Sequence, residues 1–443
     1  MKNLLTNTVL IFTDSLSLYL ALYLAHITRI FYSEHDYFGI YTNTLEDFFL
    51  SGYIFALFIA VNFSLGLYTK RNDFWEELRR SYLGAFLLLI GVTLLLFITK
   101  STQEFSRATY ILMFFNLLWL TPLLRVLIKR LLLSLGLWRI DALFDGNQEQ
   151  LQRLKKMLQE NWYLGYRETE DIKKAKVVFI ATKDIPIDKL EQMIHRYKHR
   201  IKEVIIIPFL HNISFANADI VDLRIGRMSF INIQNQLFIK KNIFIKKCAE
   251  FSLLIVLTPI VTPIFLLIAL LIKLDSKGSV FFKQQRLGKE GKVFSCYKFR
   301  TMYENNDILL QNYLERNPQE VANYAKYHKY KNDPRITRFG SFLRRYSLDE
   351  LPQIINVFRF EMNLIGPRPY MVNERVKIGE DIDTILHVRP GLTGLWQISG
   401  RNDLTFYERI ELDKWYIQNW SLWLDFIIFL KTFVVLVTKR GAA

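Results

Sequence analysis

Near the N-terminus the chain carries four almost unbroken runs of apolar residues, at 9–30, 48–68, 82–98 and 108–124. As helices each is long enough to cross a bilayer, the third only just, since a span takes about 20 residues. The polar stretches between them carry unequal charge. The first is acidic, with Glu34, Asp36, Glu46 and Asp47; the second carries Lys70, Arg71, Arg79 and Arg80. The third is short and mixed, and the fourth run leads into Arg125, Lys129, Arg130 and Arg139. Basic loops stay inside, so both ends of this bundle are expected in the cytoplasm. The opening Met1-Lys2-Asn3 runs into the first segment without a small-residue cleavage site, which predicts a retained membrane helix. Asp14 is costly within a lipid-facing run. It marks either a site or a contact with a neighbouring helix near the membrane edge.

From about 141 to 235 the pattern becomes that of a soluble α/β domain. Strands are predicted at 141–144, 176–181 and 203–208, and helices at 148–160 and 188–199. Such alternation implies a small parallel sheet. A dinucleotide site would need a glycine-rich turn after the first strand. The turn here, Asp145-Gly146-Asn147-Gln148, has one glycine, so a structural or regulatory module is expected.

A further run, residues 251–272, is free of charge and long enough to span. Pro259 and Pro263 sit in its middle, where proline kinks or breaks a helix. Lysines crowd both flanks: Lys240, Lys241, Lys246 and Lys247 before, Lys273, Lys277 and Lys283 after. The charge rule then places both ends on the cytoplasmic side. The pattern predicts a Pro-broken, re-entrant helix over about 248–273; a fifth, kinked span is the alternative.

The remaining chain adds candidate chemistry. Asp349 and Glu350 follow Arg344, with Arg335 and Arg338 upstream and Arg368 downstream. Nearby cations should keep both carboxylates ionised. One could attack an electrophile while the other holds a hard cation, and the arginines could grip phosphate. Ser347-x-x-Glu350 equally fits a helix capping box, although Pro352 disturbs that reading. Lys298 and Arg300 alternate with Tyr297 and Phe299, giving a strand one cationic face. Gly366-Pro367-Arg368-Pro369 and Arg389-Pro390-Gly391 each pin an arginine in a tight turn, suited to an anion or to ordinary turn chemistry. Residues 306–330 read as a helical excursion. The end, with Trp415, Trp420 and Trp423, fits a membrane interface or a buried core; Asp425 and Lys431 argue against a span.

Net charge is +16 over 443 residues and half the chain is hydrophobic. This suits a membrane protein at an anionic surface better than a soluble nucleic-acid binder. Two cysteines, Cys248 and Cys296, make neither a disulfide framework nor a metal spacing.

From about 246 onward the chain resembles the bacterial sugar transferases, the monotopic phosphoglycosyl transferases. The resemblance rests on the Pro-broken run, Tyr297-Lys298-Phe299-Arg300-Thr301-Met302, Asp333-Pro334-Arg335-Ile336-Thr337, Ser347-Leu348-Asp349-Glu350-Leu351-Pro352, Gly366-Pro367-Arg368-Pro369, Arg389-Pro390-Gly391-Leu392-Thr393-Gly394 and Ser399-Gly400-Arg401. Four membrane helices and a degenerate Rossmann-like module resemble the large members. Residues 394–403 and 415–423 are most similar to those that handle galactose-1-phosphate; Leu386 departs from the polar residue many relatives place there. The resemblance implies three regions: a transmembrane bundle (1–140), an α/β module (141–235) and a catalytic domain (240–443). It implies transfer of a hexose-1-phosphate from a UDP-sugar, UDP-galactose first, to undecaprenyl phosphate with release of UMP. Asp349 would be the nucleophile of a covalent intermediate and Glu350 the ligand of Mg²⁺. Lys298, Arg300, Arg335, Arg338, Arg344, Arg368, Arg389 and Arg401 would bind phosphate or nucleotide. The implied setting is the bacterial inner membrane with the catalytic domain on the cytoplasmic face, in O-antigen, capsule or exopolysaccharide synthesis. The bundle and the module offer surfaces for a homodimer. Glucose-1-phosphate transfer, or a non-catalytic adaptor in polysaccharide assembly, are the alternatives.

Overall fold

The computed structural model describes residues 2–34, 52–98, 107–208, 218–223, 228–304, 306–317, 320, 333–401 and 404–438. The chain divides into two compact units, Met1–Phe209 and Leu210–Ala443.

The first unit opens with helices α1 (Lys2–Glu34), α2 (Gly52–Ser64), α3 (Phe74–Ile98) and α4 (Arg107–Ser134). Their shared core holds Leu18, Leu22, Phe58, Leu88, Met113 and Leu117. Phe12, Phe86, Leu94, Phe115 and Leu127 point outward and are exposed. Apolar residues on both the inner and outer faces suit a bundle whose solvent is lipid. By length and composition α1, α3 and α4 can cross a membrane. The described part of α2 is 13 residues long. The start of the second apolar run (48–51), most of the acidic first loop, and Lys100 and Glu104 of the third loop lie outside the described residues.

Asp14 faces its neighbours rather than lipid. It is fully buried and accepts hydrogen bonds from Arg125 at 2.5 and 2.8 Å, Asn62 at 2.9 Å and Tyr68 at 2.7 Å. Arg125 also donates to Glu77 at 3.1 Å, and Glu77 pairs with Lys129 and accepts from Tyr163 at 2.9 Å. Two acids and two bases thus neutralise one another where a lone charge would be prohibitive.

Tyr163 belongs to the α/β module: β1 (Ile140–Gly146), α5 (Gln148–Glu160), β2 (Tyr166–Glu168), β3 (Val177–Ala181), α6 (Ile187–Lys198) and β4 (Glu203–Ile207). The sheet is parallel with order β2-β1-β3-β4, and every residue of β3 is buried. β2 has three residues, two of them charged, and no strand is predicted there from the sequence. The strand order reverses between β1 and β3, where an open α/β sheet would take a ligand. Here the Tyr197 hydroxyl donates to Asp145 at 2.6 Å, Lys183 N–H donates to Gln150, and Gln150 donates to the Ile207 carbonyl. The groups around that crevice are bonded to one another.

The second unit begins with an antiparallel hairpin, β5 (Ala218–Leu223) and β6 (Met228–Ile233). Helix α7 (Lys240–Asp275) follows. It runs uninterrupted through Pro259 and Pro263, which corrects the expected break. A proline removes its own N–H bond, and the bonds on either side hold the helix. The first turns of α7 join the main core, with Leu254 fully buried. Its last turns bury Ile268 and Ile272 against Phe299 and Leu343 of the same unit. Between them Ile255, Val256, Ile260 and Ile264 are exposed.

Strands β7 (Phe281–Leu287) and β8 (Val293–Phe299) form an antiparallel pair, followed by α8 (Asn306–Arg316). Most of the rest of the expected helical excursion lies outside the described residues. Then come α9 (Arg338–Arg345), a 3₁₀ segment (Leu348–Gln353), α10 (Ile354–Phe358), β9 (Asn363–Ile365) and β10 (Gly391–Thr393), the last two parallel. Helices α11 (Phe406–Gln418) and α12 (Leu422–Thr438) end the chain. Asp425 of α12 is buried and pairs with Lys246 of α7 at 2.7 Å, and Trp420 donates to it at 2.8 Å. Of the terminal tryptophans, Trp420 is therefore core, whereas Trp415 is 38 % exposed.

Candidate active site

Strand β8 carries the first functional side chain. Phe294, Cys296 and Lys298 share one face by the two-residue repeat, and the first two are buried. The row therefore runs from core into a cleft, which it enters at Lys298. This corrects the simple cationic face: Lys298 ends a core-facing row, and Arg300 follows the strand.

Opposite lies the 3₁₀ segment with Asp349 and Glu350. Asn356, fully buried on α10, holds it there: its Oδ1 accepts from Tyr297 N–H at 3.1 Å and its Nδ2 donates to the Ser295 carbonyl at 2.8 Å. The side-chain amide serves as ladder partner for the open edge of β8. The anticipated capping box does not form. Ser347 sits in the left-handed region (φ 54°) with no capping bond, and its hydroxyl accepts from Arg401 at 3.1 Å. With Pro352 inside, the segment coils as a 3₁₀ helix.

Helix α9 supplies Arg344. Thr337 caps it, accepting from Gly340 N–H at 2.9 Å. A Cβ on Gly340 would lie 2.2 Å from the Thr301 carbonyl oxygen, so only glycine allows this approach. Arg344 then donates to the Thr301 hydroxyl at 2.9 Å.

The result is a cleft of about 690 Å³ lined by Lys298, Arg300, Arg344, Asp349, Glu350 and Arg401, among others. Lys298 donates to Glu350 Oε1 at 2.7 Å, and Gln397 approaches Oε2 at 3.5 Å. Burial opposes ionisation of Glu350, but Lys298, Arg368 and Arg401 outweigh it and hold the carboxyl below its ordinary value. Asp349 behaves oppositely. Burial first, and the Glu350 charge second, push it up to about 6 against the pull of Lys298 and Arg344. Uniform depression by cations is thus corrected for Asp349: it lies beside an anion that has already taken the lysine.

The other basic residues divide. Arg300 lines the cleft but is 9 % exposed and donates to Ser276 at 2.8 and 3.0 Å. Arg368 lies over Trp396, which lines the cleft, at 5.4 Å. Arg335 is held in two bonds to Asp333 at 2.8 and 2.6 Å and does not line the cleft. Arg338 lines a separate groove with Asp275 and Phe339. Arg389 faces another surface, over Phe360 at 5.8 Å. Its turn nonetheless packs on the Arg368 turn: Gly391 N–H donates to the Pro367 carbonyl at 2.8 Å, and a Cβ on Gly391 would lie 2.1 Å from Gly366 N. The two turns meet through backbone, and only one arginine is carried toward the carboxylates. Trp396, Gln397 and Thr301 appear in motifs of the sequence but without any signal of a place in the cleft.

Among the described residues no cluster of three or more acidic, histidine or cysteine side chains forms a metal site. Two adjacent carboxylates, one already bonded to lysine, do not make a resident cage. They do fit Mg²⁺, which keeps waters and takes one or two carboxylates together with substrate phosphate oxygens.

Residues 241–439 match the profile of the bacterial sugar transferase family. Over 402 residues the chain is 31 % identical to an undecaprenyl-phosphate galactose phosphotransferase of Salmonella typhimurium, covering 85 % of this chain and 84 % of that one. It is 30 % identical over 407 residues to a UDP-galactose-lipid carrier transferase of Erwinia amylovora, covering 85 % and 84 %. A UDP-glucose:undecaprenyl-phosphate glucose-1-phosphate transferase of Escherichia coli is 31 % identical over 285 residues, covering 61 % and 57 %. The chain belongs to the bacterial sugar transferase family and is a membrane phosphoglycosyl transferase.

Proposed function

We propose that this enzyme moves a hexose-1-phosphate, galactose-1-phosphate first, from a UDP-sugar to undecaprenyl phosphate in polysaccharide synthesis. The observation that carries the reading is the Asp349–Glu350 pair in a cleft ringed by Lys298, Arg344 and Arg401. Asp349 attacks the sugar-bearing phosphorus. An oxygen–phosphorus bond forms as the bond to UMP breaks, leaving an aspartyl phosphosugar. An oxygen of the lipid phosphate then attacks that phosphorus and displaces Asp349. Lys298 fixes Glu350, while Arg344 and Arg401 stand beside the developing negative charge. Glu350 would hold Mg²⁺, which when bound would supply charge neutralisation. Galactose is favoured because the relatives named for it align over most of the chain, and the glucose relative over less.

In this reading α7 bends at Pro259 and Pro263 without breaking, so that it enters one leaflet and returns toward the cytoplasmic face of the inner membrane. The support is that both ends of α7 pack on one unit. Only about ten residues between them, roughly 15 Å of helix, lack such contacts, against about 30 Å of hydrocarbon.

The test uses detergent-solubilised protein, Mg²⁺ and UDP-galactose labelled in its β-phosphate. Label should remain on the protein, and Asp349→Asn should abolish both labelling and UMP release. Wild-type rates from Asp349→Asn would remove the aspartate as nucleophile, and UMP release with UDP-glucose but not UDP-galactose would change the sugar.

A further inference from the structure

Asp413 stands on α11, outside the cleft. It is fully buried, and its Oδ2 accepts two hydrogen bonds: Arg368 N–H at 3.0 Å and the Tyr370 hydroxyl at 2.8 Å. Among the described residues its Oδ1 has no hydrogen-bond partner and neither oxygen forms a salt bridge, so this carboxylate is not half of an ordinary buried ion pair.

The bond to Arg368 falls at a particular place. Pro367 and Pro369 have no N–H, so Arg368 supplies the single backbone donor at the centre of the turn. The rest of the turn is fixed otherwise. Gly366 N–H donates to the Thr393 carbonyl, the Pro367 and Pro369 carbonyls accept from Gly391 N–H and Arg286, and the Tyr370 carbonyl accepts from Leu287 N–H. Asp413 takes the one remaining donor. One helical turn earlier, Arg409 lies 5.4 Å from the same Trp396 ring that Arg368 covers at 5.4 Å. Helix α11 therefore grips the Arg368 turn by its main chain and meets the indole beneath Arg368.

We propose that Asp413 is a positioning residue: through the Arg368 N–H and the Tyr370 hydroxyl it sets where the Arg368 guanidinium stands over Trp396, toward Glu350. The inference rests on the transferase reading above. What Asp413 supplies is an acceptor at Oδ2, not a charge within the cleft. Burial pushes its carboxyl up to about 7, so it spends part of its time neutral near physiological pH while remaining an acceptor. Asparagine would keep an acceptor oxygen at that point; alanine would not.

The test is a double-variant cycle read as UMP release on purified, monodisperse protein, with kcat and KM for the UDP-sugar separated. Asp413→Ala should lower kcat/KM about tenfold or more, Asp413→Asn should recover it to within about threefold, and Arg368→Ala should lower it at least as far as Asp413→Ala. In the Arg368→Ala background, Asp413→Ala should add nothing beyond about twofold, because its effect travels through the arginine. Multiplying losses in the double variant would overturn the proposal, as would Asp413→Asn being as poor as Asp413→Ala. Should Asp413→Ala fail to accumulate, Asp413→Ser, whose hydroxyl is too short to reach the Arg368 N–H, takes its place in the same cycle. A wild-type protein that releases no UMP from any UDP-hexose would sink the transferase reading instead.

Discussion

Asp349 and Glu350 are neighbours in sequence and opposites in electrostatics. Lys298 bonds Glu350 and leaves Asp349 to face both burial and its neighbour's charge, so the pair separates into one carboxyl near 6 and one held low. As the proposed nucleophile, Asp349 must be ionised, so on that proposal kcat/KM should rise about tenfold per pH unit below about 6 and level off above 7. A rate–pH profile flat down to pH 4.5 would contradict this. The same shift bears on stability. A folded-state value raised above the unfolded one contributes stability at low pH that is lost as pH climbs through about 6. Asp349→Asn should therefore unfold at a higher temperature than wild type at pH 7.5, while being inactive. Glu350→Gln should show a weakened Mg²⁺ dependence of UMP release; an unchanged titration would remove Glu350 from the metal.

At the scale of elements, the cleft depends on two close approaches. Asn356 completes the edge of β8, and its Nδ2 also donates to Glu361 at 2.6 Å. Asn356→Ala would strand Tyr297 N–H and the Ser295 carbonyl, and should destabilise the unit by about 1–3 kcal/mol in denaturant unfolding. It should also cost activity, because the 3₁₀ segment is no longer registered on the strand. A folded variant with normal transfer would show that the segment needs no such tie. Gly340 works by absence: any side chain there drives α9 off Thr301. The Asp349–Glu350 motif is legible in sequence because its residues are contiguous. The strand edge that holds it is not, since Ser295 and Asn356 are 61 residues apart.

Across the whole molecule, each unit carries its own buried charge. In the first, Arg125 is fully buried between Asp14 and Glu77. Arg125→Met leaves two carboxylates with only Lys129 to balance them, and should destabilise the bundle by about 3–5 kcal/mol, read as thermal unfolding in detergent. In the second, α7 should present both ends to one side of the membrane. With the exposed Cys248 replaced by serine and the buried Cys296 left in place, a cysteine at Lys241 and one at Lys277 should each react with an impermeant maleimide in inverted vesicles. Labelling of Lys277→Cys only from the opposite side would make α7 a span.

The chain by itself determined its apolar runs, the alternation of strands and helices in the module, and the adjacent pair Asp349–Glu350. Each is written in periodicity or contiguity, which need no knowledge of distant neighbours. Only the folded structure decided which cations meet that pair. Lys298 and Glu350 are 52 residues apart and touch, whereas Arg335 is spent on Asp333 and Arg389 turns to another surface. Side-chain direction follows from strand pairing, glycine contacts and backbone turns closed over long separations, and a count of basic residues along the sequence cannot distinguish a guanidinium aimed inward from one already paired.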